Sequence, residues 1–351
     1  MRYLPTSKLT PGMALGQNIY DGSGRVLLEK HLLLTEEAIS NLEFMGFPGI
    51  YIDDDFTRGI EIQQVLNPQV RSQALKVIHD LFSFDYEANI PPVAEIKLKK
   101  TIESVVEDIL NNGDIMLNVL DIKNYNDYIF FHSVNVAMLS VIVGARYGLE
   151  KKQLFQLTTA AMLHDIGKKF VDVDTITGGI EQVKAEQEQL RQHPKLGAEF
   201  LKCNYNFPPI VVQSVLTHHE AYNGKGYPEK RAGEEIPIYA RIIRMTDCYD
   251  ILTSKHPSKP ALSPSETVEY LMSQAGGEFD PNLVEVFIKK IAVYPVGCEV
   301  VLSDGRHAVV VQNFERFPLR PLVKMLNNGA LVNLRDDAEC RNITIVKVVL
   351  K

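Results

Sequence analysis

Five of the chain's 9 histidines and two of its aspartates fall in one ordered series: His132, His164-Asp165, His193, His218-His219 and Asp247. Neutral imidazole nitrogens and carboxylate oxygens suit iron, manganese, zinc or nickel. Asp165 closes the apolar run "AAMLHDIGKK", where Gly167 is read as a helix stop with Lys168 and Lys169 beyond it. A carboxylate in that place can give one oxygen to each of two cations. Two metals about 3.5–4 Å apart would form a clamp for in-line attack on phosphorus. In "LTHHEAYNGKGYPEK" two imidazoles stand side by side, and adjacent side chains on a helix diverge by roughly 100°. They can face one small object only if it sits between them, near a helix end. Taken alone, this dipeptide reads first as a polar surface pair. His31, His79, His256 and His307 lie outside the series. His79-Asp80 repeats the His-Asp pair in mid-pattern with no glycine behind it, and is read as structural.

Three regions of different texture must position these residues. Residues 1–58 read as a small α+β unit: strand, turn and strand around Asp21-Gly22-Ser23-Gly24, a helix with Thr35 as N-cap and Gly46 near its end, and a closing strand "GIYIDDD". From about 65 to 290 the apolar residues recur at three- and four-residue steps, the period of helices packed on a core. Helices are expected at 132–148, 151–165, 180–203, 208–219, 236–254, 264–275 and 281–292. Beyond about 295 the pattern is β-rich, with a hairpin turning at Asp304-Gly305.

Composition narrows the partners. The 351 residues, with a hydrophobic fraction of 45%, are enough for a large core. A net charge of -7 argues against a general binder of nucleic acid or anionic membranes. The run from Ser133 is interrupted by Asn135 and Arg146, and reads as a core helix, with no membrane span expected. Cys203, Cys248, Cys298 and Cys340 show no C-x-x-C spacing, and isolated thiols in a reducing cytoplasm are expected.

The ordered series, together with Gly226-Tyr227-Pro228, resembles the HD-GYP family. These are metal-dependent phosphodiesterases of bacterial cyclic-di-GMP signalling within the HD superfamily. The likeness is carried by "HSVNVAML", "LHDIGKK", "RQHPKLGAEFL", "HHEAYNGKGYP", "RIIRMTDCYDILTS" and "EFDPNLVEVF". It implies a mainly α protein with a helical HD-type metallophosphohydrolase core, flanked by a small α+β N-terminal domain and a small β-rich C-terminal domain. The expected divisions are a regulatory domain at 1–58, a helical lead-in at 62–125, the catalytic domain at 126–293 and a β-rich extension at 294–351. The N-terminal segment also resembles, less specifically, a module often found ahead of this domain.

The resemblance assigns roles by position. Asp165 bridges two divalent transition metals, iron or manganese first, with nickel, zinc or cobalt as alternatives. His132, His164 and Asp247 serve one metal; His193, His218 and His219 serve the other. Lys168 contacts substrate phosphate and stabilises the leaving oxygen. The substrate is cyclic-di-GMP, opened to pGpG or cleaved on to GMP by a metal-activated hydroxide. The loop at Gly226, Tyr227 and Pro228 also reaches signalling partners, and a cytoplasmic homodimer fits such a protein. Three departures bear on this. Tyr128 stands where some relatives have a glutamate for a third metal, so two metals are expected. Asn223 replaces an acidic residue. His256 and Ser258 stand where an arginine and an aromatic are usual, although Lys259 is kept, so the grip on phosphate is expected to be weaker. Two other readings follow from the same residues. One is a binding or interaction module that keeps its metals as structure, and the other an oxygen-activating diiron enzyme, which Lys168 and the Gly-Tyr-Pro segment oppose.

Overall fold

The computed structural model describes residues 1–83, 92–112, 128–171, 188–254 and 261–349. Among them ten α-helices dominate and small antiparallel sheets stand at both ends, as the mainly α reading expects. Strands β1 (Arg2–Pro5), β2 (Ala14–Leu15), β3 (Ile19–Tyr20), β4 (Val26–Leu28) and β5 (Gly49–Asp53) build the first module. The sheet order is β1-β5-β2, with β3 and β4 as a separate hairpin. That hairpin turns where expected, because the Asp21 carboxylate accepts the backbone N–H groups of Ser23 and Arg25, each at 2.9 Å. Helix α1 (Glu36–Phe44) starts at Thr35, whose hydroxyl accepts the Ala38 N–H at 3.1 Å. Leu4, Leu15, Leu42, Phe47 and Ile50 give this module a core of its own.

The helical body contains α2 (Pro68–Ser83), α3 (Pro92–Asn111), α4 (Tyr128–Tyr147), α5 (Lys151–Leu163), α6 (His193–Asn204), α7 (Pro209–Thr217), α8 (Ile238–Thr253), α9 (Pro264–Ser273) and α10 (Pro281–Ile288). Proline opens the first turn of α6, α7, α9 and α10, where its missing N–H costs nothing. Helix α4 is the spine. It is long and apolar enough to cross a membrane, yet 13 of its 20 residues are buried against α5, α8, α10 and the lead-in helices. Helix α5 ends at Leu163, and a 3-10 turn over Ile166–Phe170 takes the chain into contact with α6.

The C-terminal strands β6 (Glu299–Leu302), β7 (His307–Gln312), β8 (Leu322–Met325), β9 (Leu331–Asn333) and β10 (Ile345–Val349) form one sheet in the order β10-β6-β7-β8-β9. The first and last modules meet. The Tyr3 N–H donates to Gly297 O at 2.9 Å, and Lys324 donates to Phe56 O while lying 4.8 Å from the Phe56 ring centre. Tyr3 and Tyr51 stack edge to face at 5.6 Å and join the apolar cluster that contains Val300, Leu302 and Val310. Tyr51 is only 2% exposed. Tyr51→Ala is therefore expected to cost about 3 kcal/mol of stability. A urea unfolding midpoint unchanged from wild type would show that this contact carries no weight.

Candidate metal centre

The sequence series converges at the centre of the helical body. His132 comes from α4, His164 and Asp165 from the end of α5, His193 from the first turn of α6, His218 and His219 from the end of α7, and Asp247 from α8. Two glycines permit the approach. A Cβ on Gly167 would lie 1.9 Å from His193 O and 2.5 Å from Gly197 N, so only glycine lets the turn after Asp165 meet α6. A Cβ on Gly226 would lie 2.2 Å from Ala221 N, because the Gly226–Pro228 loop folds back onto the segment after the paired histidines. Tyr227 then stacks on the His219 ring, with centroids 4.8 Å apart and planes 17° apart. The Arg191 guanidinium lies 5.3 Å from the Tyr227 ring centre. The Asn223 side chain accepts the Lys225 N–H at 3.0 Å, which shapes the turn without a charge.

The two oxygens of Asp165 face different neighbours. Oδ1 lies 3.2 Å from His193 Nε2 and 4.0 Å from His218 Nε2. Oδ2 lies 3.4 Å from His164 Nε2 and 3.6 Å from His132 Nε2. Asp247 Oδ1 adds contacts of 3.1 Å to His132 Nε2 and 3.9 Å to His164 Nε2. Ligand-capable atoms of His193, His218 and His219 lie within 4.8 Å of one another, as do those of His132, His164 and Asp247. Lys168 donates to Asp165 Oδ2 from the outer side, with its side chain 28% exposed against 2% for Asp165.

Hydrogen bonding aims the imidazoles. His164, His193 and His218 each place Nδ1 against a carbonyl three residues back, Ala161, Leu190 and Val215, at 2.8, 2.6 and 2.6 Å. Nδ1 carries the proton in that arrangement, and the Nε2 lone pair faces inward. His132 Nδ1 instead meets Asp250 Oδ2 at 2.7 Å. Tyr128 stacks on the His132 ring and offers no carboxylate to the centre.

Electrostatics suit a cation. Burial pushes the pKa of His164 down, and those of His218 and His219 well below the ordinary imidazole value, so these rings are neutral donors. Burial would do the same to His132, but the carboxylates of Asp247 and Asp250 outweigh it and raise its pKa to about 9. The same negative charge favours a metal at that nitrogen. Burial opposes charge on Asp165, yet His164, Lys168 and His193 hold its carboxyl well below the usual range. Burial likewise opposes charge on Asp247, and His132, His164 and His219 hold it low. Among the described residues, His132 Nε2, His164 Nε2, Asp165 Oδ1 and Asp247 Oδ2 are buried without a hydrogen-bond partner. Buried polar atoms are normally paired, so four such atoms on residues of one cluster fit metal ligation.

The HD domain family model matches residues 105–283, just over half of the chain. The chain belongs to the HD domain family. It carries the Gly226-Tyr227-Pro228 segment as well, and the family read from the sequence stands. This HD protein is 31% identical over 224 residues to a cyclic di-GMP phosphodiesterase of Pseudomonas aeruginosa, covering 64% of this chain and 54% of that protein. It is 33% identical over 149 residues to the cyclic di-GMP phosphodiesterase response regulator RpfG of Xanthomonas campestris pv. campestris, covering 42% of this chain and 39% of that one. The chain thus spans about half the length of these relatives or less. Among solved structures, Bd1817, an HDG"Y"P protein from Bdellovibrio bacteriovorus, superposes with a TM-score of 0.50 over 81% of this chain and 97% of its own, at 16% identity. That likeness concerns the fold.

The sequence reading passed over Asp250 and Asn135. Each lies three residues beyond a member of the series, Asp247 and His132, and so on the same helix face. That spacing was the available signal. His256, Ser258 and Lys259 lie outside the described residues. His79 Nδ1 lies 3.9 Å from Asp80 on a half-exposed part of α2, apart from the centre.

Proposed function

We propose that this HD protein is a metal-dependent phosphodiesterase that hydrolyses cyclic-di-GMP to pGpG or GMP. The observation that carries the reading is the divided environment of Asp165, with one oxygen toward His193 and His218 and the other toward His132 and His164. In this reading Asp165 is the bridge, His132, His164 and Asp247 complete one site, and His193, His218 and His219 complete the other. Two bound divalent transition metals would supply Lewis acidity that activates water and polarises the phosphodiester. The chain's own contribution is position and charge. The neutral imidazoles of His164, His218 and His219 need no proton release before ligation, and Tyr227 braces His219 by stacking. Lys168 presents an ammonium beside the bridging carboxylate at the accessible rim, where a substrate phosphate would meet it and where charge develops on the leaving oxygen.

The likeness to named cyclic di-GMP phosphodiesterases supports the substrate. The expected divisions at 1–58, 62–125, 126–293 and 294–351, with regulatory end modules, belong to the same proposal. Chromatography of cyclic-di-GMP incubated with anaerobically purified protein tests it. Conversion to pGpG or GMP that stops on chelation is the expected result. Binding without turnover in the metal-loaded protein would favour the interaction-module reading instead. Lys168→Met is expected to lower kcat about 100-fold or more, the scale of losing one transition-state donor. Metal content should stay unchanged, since Lys168 is no ligand. An unaltered kcat would remove Lys168 from the mechanism.

A further inference from the structure

We propose that Asp250 is a positioning residue for His132, and that Asn135 and Arg71 hold it in place, so that helix α2 takes part in building one of the two metal sites. This rests on the reading of His132 as a ligand. The histidines differ in what stands behind them. His164, His193 and His218 each rest Nδ1 on a neutral backbone carbonyl of their own helix segment. His132 rests Nδ1 on the Asp250 carboxylate at 2.7 Å, and that carboxylate comes from another helix, α8. A carboxylate behind a metal-bound imidazole fixes the tautomer and makes the facing nitrogen a stronger donor.

Asp250 is fully buried and its second oxygen is also committed. Oδ1 accepts from Asn135 Nδ2 at 3.1 Å, and Asn135 Oδ1 accepts from Arg71 Nη2 at 3.1 Å. The direction of the chain of bonds is forced. A guanidinium only donates and a carboxylate only accepts, so the amide between them has one orientation. The sequence spacing matches. His132 and Asn135 are three apart on α4, Asp247 and Asp250 are three apart on α8, and each pair therefore shares a face. The two helices pack together, so ligand meets ligand at one level and partner meets ligand one turn on.

Arg71 lies on α2, outside the 105–283 span matched by the HD domain family. Its neighbour Ser72 donates to Gly24 O, in the β3–β4 turn of the N-terminal module. The lead-in helix therefore touches that module with one residue and reaches toward the metal centre with the next.

The test titrates Mn2+ into metal-free full-length protein and counts the free ion by its EPR signal, with the melting curve recorded alongside. Wild type is expected to take up two equivalents. Asp250→Asn, whose amide cannot present a charged acceptor, is expected to weaken one equivalent about 10- to 100-fold and to leave the other unchanged. Arg71→Leu, which leaves Asp250 in place but removes its outer anchor, is expected to weaken the same equivalent by a smaller factor. Retention of both equivalents at wild-type affinity in Asp250→Asn would overturn the proposal while leaving the proposed function standing. Equal weakening of both equivalents would overturn it too, since that marks a general structural role. If Asp250→Asn does not fold, Arg71→Leu decides alone: selective weakening supports the proposal, and none overturns it. A wild-type chain that binds no Mn2+ would remove the parent reading and this proposal together.

Discussion

Asp165→Asn is expected to remove at least one metal per chain and to lower kcat/KM for cyclic-di-GMP about 1,000-fold or more, beyond the loss of a single transition-state donor. The amide keeps the shape of the carboxylate but gives only one neutral oxygen acceptor, and its NH2 group would point at either His132 and His164 or His193 and His218. One of the two sites must then face a donor where it needs an anion. The variant also loses the ion pair with Lys168, so its melting curve is recorded beside the metal analysis to separate lost ligation from lost fold. Metal analysis of the purified variant beside wild type is the check. Full metal content would show that Asp165 does not bridge.

Gly167→Ala is expected to have the second large effect, and it acts through shape alone. The added Cβ would sit 1.9 Å from His193 O and 2.5 Å from Gly197 N, both rigid backbone atoms of α6. Either the turn after Asp165 or the start of α6 must move, and both carry members of the centre. A loss of about 3 kcal/mol or more is expected, at the upper end of what overpacking costs. It should appear as a lower urea midpoint together with a lower metal content. Gly197→Ala is the comparison, since its Cβ would meet Gly167 N at 3.1 Å and Ile166 at 3.3 Å, and a small backbone shift relieves that. Equal midpoints for the two variants would contradict the account of the packing.

The candidate centre was legible because its chemistry is written in residue type and order. Few reasons other than ligation gather five histidines and two aspartates from five helices. The limits of α7, α8, α9 and α10 followed within a few residues from apolar period and from proline and glycine, whereas the helix expected over 180–203 is broken by a turn at Arg191-Gln192 ahead of α6. Asp250 was missed because a lone aspartate near the end of a helix has many ordinary uses. Only the packing of α4 on α8 shows that it backs His132. Strand β1 was also passed over. "RYLP" is short, and its pairing with β5 is a long-range fact that no local pattern encodes. The same holds for the contact between the first and last modules. Tyr3, Gly297, Phe56 and Lys324 meet across nearly the whole length of the chain. Gly167 was read as a helix stop, but its greater role is to let α6 approach, which depends on a partner helix. The Gly226-Tyr227-Pro228 segment is recognisable from its residues, but its return onto the segment after the paired histidines and the stacking of Tyr227 on His219 are tertiary contacts.

The most direct test of the two-metal account is activity measured against metal added. Metal-free protein would be titrated anaerobically with Fe2+ or Mn2+, and cyclic-di-GMP hydrolysis recorded at each ratio. The account predicts that turnover rises and levels off at two equivalents per chain, and that Asp165→Asn gives no such rise. Turnover that levels off at one equivalent, or that proceeds undiminished in metal-free protein, would contradict it.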